Sequence, residues 1–113
     1  MLLVTSGSGR WIIPKGDIDE GVEPHLAAEK EAFEEGGVRG CVSDRRIGTF
    51  ATCKQQDGAA ITAEVDVFPL DVSRELDHWP EMTQRERCWL PIDEAADAVG
   101  EPELAAIIRK FSP

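Results

Sequence analysis

A chain of 113 residues, 42% hydrophobic and 30% charged, has the composition of one soluble globular domain large enough for a single core. Its 22 acidic residues against 12 Lys and Arg leave a formal net charge of −10, which argues against nonspecific binding to nucleic acid or to an anionic membrane and repels phosphorylated ligands at long range. Cys41, Cys53 and Cys88 lack zinc spacing and read as reduced thiols of a cytoplasmic protein; the opening residues lack a signal peptide's basic and apolar regions, and no run approaches the ~18 apolar residues of a membrane span.

In chain order, residues 2–5 read as a short strand, Ser6 to Gly9 as a turn, and Trp11-Ile12-Ile13 as a second extended run stopped by Pro14. Residues 15–23 form a loop. Pro24 opens a helix over about 24–35 that Gly36-Gly37 end, with Leu26 and Phe33, seven apart, as its core-facing side. Residues 38–42 and 47–53 read as strands, Gln55 to Gly58 as a hairpin turn, and 60–70 as a strand in which Ile61, Ala63, Val65 and Val67 alternate with polar residues. A polar loop over 71–84 contains His78-Trp79-Pro80, and 87–90 is a last strand. Asp93 caps a helix over 94–99, and Pro102 opens a final helix to 111 that buries Leu104, Ile107, Ile108 and Phe111.

Chemistry concentrates between residues 15 and 38. On a helical wheel of about 100° per residue, Glu34 and Glu35 fall within roughly 60° of Glu31. Three carboxylates on one stripe repel by roughly 0.2–0.5 kcal/mol per pair. Either the stripe is a solvated acidic face, or a cation compensates it; hard oxygen ligands suit Mg²⁺ or Mn²⁺. The segment Asp17-Ile-Asp19-Glu20-Gly21 is no calcium loop, because its glycine falls one position early and its terminal Glu is absent.

Gly16 followed by Lys30-Glu31-Ala32-Phe33-Glu34-Glu35-Gly36-Gly37-Val38 resembles the box of the Nudix family of pyrophosphate hydrolases, G-x5-E-x7-R-E-U-x-E-E-x-G-U with U apolar. Two positions depart from it: Val22 stands at the first Glu and Lys30 at the Arg. Pro14-Lys15-Gly16 before the box, and Arg85-Glu-Arg-Cys-Trp-Leu90 followed by Asp93-Glu-Ala after it, look most like the branch of diphosphoinositol-polyphosphate and diadenosine-polyphosphate hydrolases. The resemblance covers nearly the whole chain. It implies an α/β fold, an α/β/α sandwich with a mixed sheet between helices. It also implies metal-dependent cleavage of a phosphoanhydride bond in a small phosphorylated substrate.

The same resemblance makes Glu31 and Glu35 direct ligands of Mg²⁺ or Mn²⁺ and gives Gly16 a role through its carbonyl. Glu34 becomes a ligand through water or the base that activates the nucleophile. Lys30 replaces an Arg that would pair with the missing Glu; Glu23 is its candidate partner, and the exchange weakens the pairing because Lys lacks the bidentate fork. Arg10, Lys15 and Arg85, with Lys54 and Arg87, are candidate phosphate partners. His25 and His78 read as structural or exposed. Among Trp11, Trp79 and Trp89, Trp79 is the candidate for a stacking surface. The two departures keep a second reading open, a Nudix-fold binding or regulatory protein with little turnover.

Members of that branch usually carry one more strand before the position of Leu2. Strand 2–5 is then expected to lie at an open edge, because the start is truncated or a neighbouring subunit fills the gap, and a homodimer through that edge follows.

Overall fold

The structure, a computed structural model, describes residues 1–111. Strands β1 (Leu2–Thr5) and β2 (Trp11–Ile12) are joined by a tight turn and lead through a loop to helix α1 (Pro24–Gly36). Strands β3 (Val38–Val42), β4 (Gly48–Gln56), β5 (Ala59–Val67), β6 (Leu70–Glu75) and β7 (Arg87–Trp89) follow, then helices α2 (Ile92–Ala98) and α3 (Pro102–Lys110). Helix α1 packs on β1 and β3, while α3 packs on β4 and on α2. The result is the α/β sandwich that the sequence implies.

The strands fall into three hydrogen-bonded groups, β2-β1-β7, β3-β6 and β4-β5. Every pairing among the described residues is antiparallel, so the parallel contact that would make the sheet mixed is not among them. Between the groups lies a largely apolar cavity of about 460 Å³.

Strand β1 is not an edge. Val4 pairs with Ile12 on one side, while Leu2, Leu3 and Val4 pair with Trp89, Cys88 and Arg87 on the other. Both flanking strands are short and contributed by distant parts of the chain, which is why strand 2–5 alone looks unpartnered. The expected dimer contact therefore loses its basis at this strand.

The single run expected over 60–70 is divided. Pro69 has no N–H to give a ladder, so β5 ends at Val67 and a new strand, β6, starts at Leu70. Residues 70–75, assigned to strand and polar loop by their composition, pair with β3 from Val42↔Leu70 to Val38↔Glu75. Only Leu70 and Val72 carry the alternation, so tertiary pairing, not pattern, makes this strand. The β4–β5 hairpin turns on Asp57 (φ 52°) and Gly58 (φ 80°), the two-residue geometry that Asp-Gly favours.

Helix α1 begins with Pro24 in its first turn and ends on Gly37, whose φ of 65° is left-handed and whose N–H reaches back to the Phe33 carbonyl at 3.0 Å. Its inward face differs from expectation. Leu26 is 46% exposed, and Phe33 is half-buried beneath the Arg39 guanidinium, 4.0 Å from its ring centre. Ala27, Ala32, Glu35 and Gly36 are buried instead. Small side chains let the helix approach β1 closely, so that an acid rather than a leucine turns inward.

Helix α2 starts at Ile92 after Pro91, and Asp93 lies in its first turn instead of capping it, where its charge complements the helix dipole. Helix α3 buries Leu104, Ala105 and Ile108; Ile107 packs at the core's margin and Phe111, just past the helix, is half-buried. These join Leu3, Ile13, Phe50, Ala95, Ala96 and Val99 in the main core.

The core assignment predicts opposite outcomes for two leucines. Leu104→Ala, at a fully buried position, should cost about 2–5 kcal/mol in urea denaturation, whereas Leu26→Ala should stay within about 0.5 kcal/mol. Equal losses would reverse the inward face assigned to α1.

Candidate active site

The acidic cluster sits where the loop after β2 meets helix α1. Buried Ile13 and half-buried Pro14 fix the loop's entry, and the next two residues lie against the helix. The Lys15 backbone N–H donates to Glu35 Oε1 at 3.2 Å. Gly16 lies so close to Glu31 that an added methyl carbon would stand 2.5 Å from the Glu31 carboxyl carbon. No other residue fits at this position without moving that carboxylate.

Glu35 is only 3% exposed. Burial pushes its pKa up to about 8, and a hydrogen bond with the neighbouring Glu31 carboxyl adds to the rise; the Arg85 guanidinium opposes both without overcoming them. Arg85 Nη2 lies 3.8 Å from Glu35 Oε2, its Nε donates to Glu81 at 2.7 Å, and its Nη1 donates to the Thr5 carbonyl at 2.7 Å. Its donors are thus turned to protein acceptors, and it braces Glu35 from below.

Glu34 is held apart from this pair. Its side chain is 33% exposed and stands 3.9 Å from Lys30. Lys30 also reaches Asp19 at 3.7 Å, not Glu23, which lies 3.5 Å from His25. The loop turns back at Gly21 (φ 82°), with the Val22 N–H donating to the Asp19 carbonyl at 3.1 Å, and so carries Asp19 over the helix. Sequence spacing favoured Glu23 because the turn was not legible from it.

The remaining cations divide. Lys15, half-buried, has no carboxylate within ion-pair distance among the described residues. Lys54 on β4 binds Asp17 at 2.7 Å, and that contact holds the Asp17 carboxyl below its usual range. Arg10 is exposed in the β1–β2 turn, where its Nε donates to Ser8 at 3.3 Å, and its partners all belong to that turn. Arg87 Nη1 donates to the carbonyls of Gly36 and Gly37 at 3.1 and 3.3 Å, its Nε meets Glu75 at 3.1 Å, and its guanidinium lies 3.9 Å from the centre of the Trp79 ring.

Trp79 packs against Gly37 and donates from Nε1 to the Glu35 carbonyl at 3.1 Å. It is therefore a brace for the helix end and not an open stacking surface. Arg87 and Trp79 satisfy carbonyls that α1 leaves free at its C-terminus. The Gly36-Gly37 pair signalled those carbonyls, but nothing local told which distant side chains would take them.

Among the described residues no three His, Cys, Asp or Glu side chains gather tightly enough to hold a metal by themselves. Two carboxylates do converge, and Arg85 offsets their repulsion only in part, which leaves Glu35 with its raised pKa. That donor set fits Mg²⁺ or Mn²⁺, since Mg²⁺ is commonly held by one or two carboxylates with waters and substrate phosphates completing its shell.

Residues 1–111 match the NUDIX domain. The chain belongs to the Nudix family. It is 39% identical over 101 residues to Nudix hydrolase 18, mitochondrial, of Arabidopsis thaliana, covering 87% of this chain and 54% of that protein. It is 36% identical over 99 residues to diphosphoinositol polyphosphate phosphohydrolase 3-alpha of Mus musculus, covering 84% and 57%. The chain spans about half the length of these curated relatives. The crystal structure of a C. elegans Ap4A hydrolase binary complex superposes with a TM-score of 0.67 at 19% identity, covering 97% of this Nudix chain and 81% of the other, which shows a shared fold.

The raised Glu35 pKa fixes a sign for stability against pH. Between the ordinary value of 4.5 and about 8, the folded metal-free protein holds a proton there that the unfolded chain has released. Stability contributed by this site is therefore full at low pH and is lost as pH rises toward 8. Urea midpoints of the metal-free protein should fall between pH ~5.5 and ~8 more steeply than those of Glu35→Gln; parallel profiles would remove the carboxyl pair as the cause.

Proposed function

We propose that this Nudix domain hydrolyses a phosphoanhydride bond in a small organic pyrophosphate, nucleoside- or inositol-linked, with Mg²⁺ or Mn²⁺ as cofactor. The observation that carries the reading is the convergence of two carboxyls at the loop, Glu31 against Gly16 and buried Glu35 held by the Lys15 N–H. A bound divalent ion supplies neutralisation of the phosphate oxygens and lowers the pKa of its water. Glu31, Glu35 and the Gly16 carbonyl are the groups that would hold it.

The chain's own residues share the remaining work. Glu34, apart from the pair and partly exposed, accepts the proton of the attacking water, and could also reach the ion through a water. Lys30 stands between Glu34 and Asp19 and ties the helix to the loop. Lys15 offers its ammonium to a phosphate oxygen. Arg85 positions Glu35 in place of touching substrate, and Arg10, in its outlying turn, is left without a role at the acidic cluster.

Val22 and Lys30 favour the second reading, a binding protein with little turnover. The Lys30–Asp19 contact weighs against it, because it supplies from another position the tie between loop and helix. Free thiols at Cys41, Cys53 and Cys88 suit a reducing compartment such as the cytoplasm, while the names of plant relatives carry the word mitochondrial. No helix among the described residues is long and apolar enough to cross a membrane.

A panel of organic pyrophosphates with Mg²⁺ or Mn²⁺ tests the proposal. Phosphate-containing products should form only with metal present, and Glu34→Gln should lower kcat by about 10²- to 10⁴-fold with KM little changed, the range of general base catalysis. Metal-independent turnover, or a fully active Glu34→Gln, would reject the roles assigned to the metal and to Glu34; binding of the panel without turnover would favour the second reading.

A further inference from the structure

Resting on the hydrolase reading, we propose that the substrate carries its charge in the phosphoanhydride chain alone and that its organic remainder is uncharged, so that a ring bearing many phosphomonoesters is refused. The argument starts from the cations around the acidic pair. Lys54 is taken by Asp17 at 2.7 Å, Lys30 by Asp19 and Glu34, and Arg85 by Glu81, Glu35 and the Thr5 carbonyl. Arg87 caps α1, and Arg39 lies on the Phe33 ring. Of these basic side chains, only Lys15 has neither a carboxylate, a carbonyl nor an aromatic ring as partner of its charged end among the described residues.

Each phosphomonoester carries roughly −1.5 to −2 charge near neutral pH. A divalent ion and one ammonium suffice for a phosphoanhydride but leave further phosphates unpaired, in a chain whose net charge is already −10. Beyond about 8 Å, salt at physiological strength screens the general field, so these nearby side chains decide.

The space beside the site has the complementary character. The 460 Å³ cavity is lined by Gly16 and Glu31 together with Ala28, Ala63, Val65 and Phe68, and although Lys54 and Asp17 also border it, its wall is mostly apolar. Its size is that of a small-molecule site, and its walls reward an apolar or aromatic group over a charged one.

Calorimetry on the Mn²⁺-loaded protein with ligands that cannot be cleaved tests this apart from turnover. Three are compared: methylene-bridged ADP, methylenebisphosphonate and inositol hexakisphosphate. Methylene-bridged ADP should bind at least ~10-fold tighter than methylenebisphosphonate, and inositol hexakisphosphate weakest. Ala63→Trp, which fills the cavity, should erase the advantage of the nucleoside while leaving methylenebisphosphonate unchanged. Lys15→Gln should weaken both bisphosphonates by a similar factor. Inositol hexakisphosphate binding as tightly as the nucleotide analogue, or the nucleotide analogue binding no tighter than methylenebisphosphonate, overturns the inference even if the enzyme hydrolyses pyrophosphates. Should Ala63→Trp fail to fold, the wild-type series decides alone. If none of the three binds, the phosphate site itself falls, and both readings with it.

Discussion

The burial of one carboxyl group, Glu35, organises this molecule. An isolated charge in a protein interior is costly, and the chain meets that cost with polar groups brought from distant segments. The Lys15 N–H arrives from the loop after β2, and the Arg85 guanidinium arrives from the segment before β7. Trp79 holds the carbonyl of the same residue, and the Glu81 N–H takes the Glu34 carbonyl at 3.0 Å. Residues 79–85 therefore strap the end of α1, and the strap is fastened to β1 through Arg85 and Thr5. A leucine at position 35 would need neither the Lys15 N–H nor the Arg85 guanidinium, although the helix-end carbonyls would still call for Trp79 and the Glu81 N–H. The side-chain part of the brace answers the acid, and its compensation is incomplete in the metal-free chain, in keeping with the raised pKa.

What the sequence disclosed was local. Pro24 and Gly37 bound α1 with signals that act within a few residues, and Asp57-Gly58 fixes a hairpin register in the same way. The carboxylate stripe was legible because helical spacing is itself local, although the wheel could not separate Glu34, turned to Lys30, from the Glu31–Glu35 pair. What it concealed was long-range. Strand β6 exists through its ladder with β3, and β1 is central because two short strands from elsewhere flank it. Leu26 misled for a related reason: hydrophobic spacing locates an apolar stripe, but a functional helix turned its acids inward, so the most apolar residue was left outside. Trp79 and Arg87 were visible as candidates for ligand binding, yet the protein's own helix end claims them first.

The box itself shows how one contact can migrate along a chain. Val22 cannot accept a hydrogen bond from the side chain at position 30, and it is half turned to solvent. The turn at Gly21 brings Asp19 to Lys30 in its stead. A carboxylate three residues upstream thus restores the sign of the pairing, while a lysine leaves it single and long. Loop and helix are joined by a point charge where a planar fork would have given two parallel bonds.

The division of the strands into three groups carries a dynamic consequence. The β4–β5 hairpin shares no ladder with the other groups, and its outer half, from Ala51 to Thr62, is largely exposed. Its base is held by Phe50 in the main core, by Val65 and Val67 packed on that core, and by Ile107 against Gly48, whereas beyond them Lys54 on Asp17 is a lone ion pair. Few buried contacts and a solvent-facing backbone mark that outer half as a segment that opens on its own, without the rest of the molecule unfolding. Amide protons near Asp57 and Gly58 should therefore exchange through local fraying, while those of β1 and α3 wait for global unfolding. The cavity wall thus spans both regimes: Val65, opposite Phe50, belongs to the part held by the core, while Ala63 borders the half that frays.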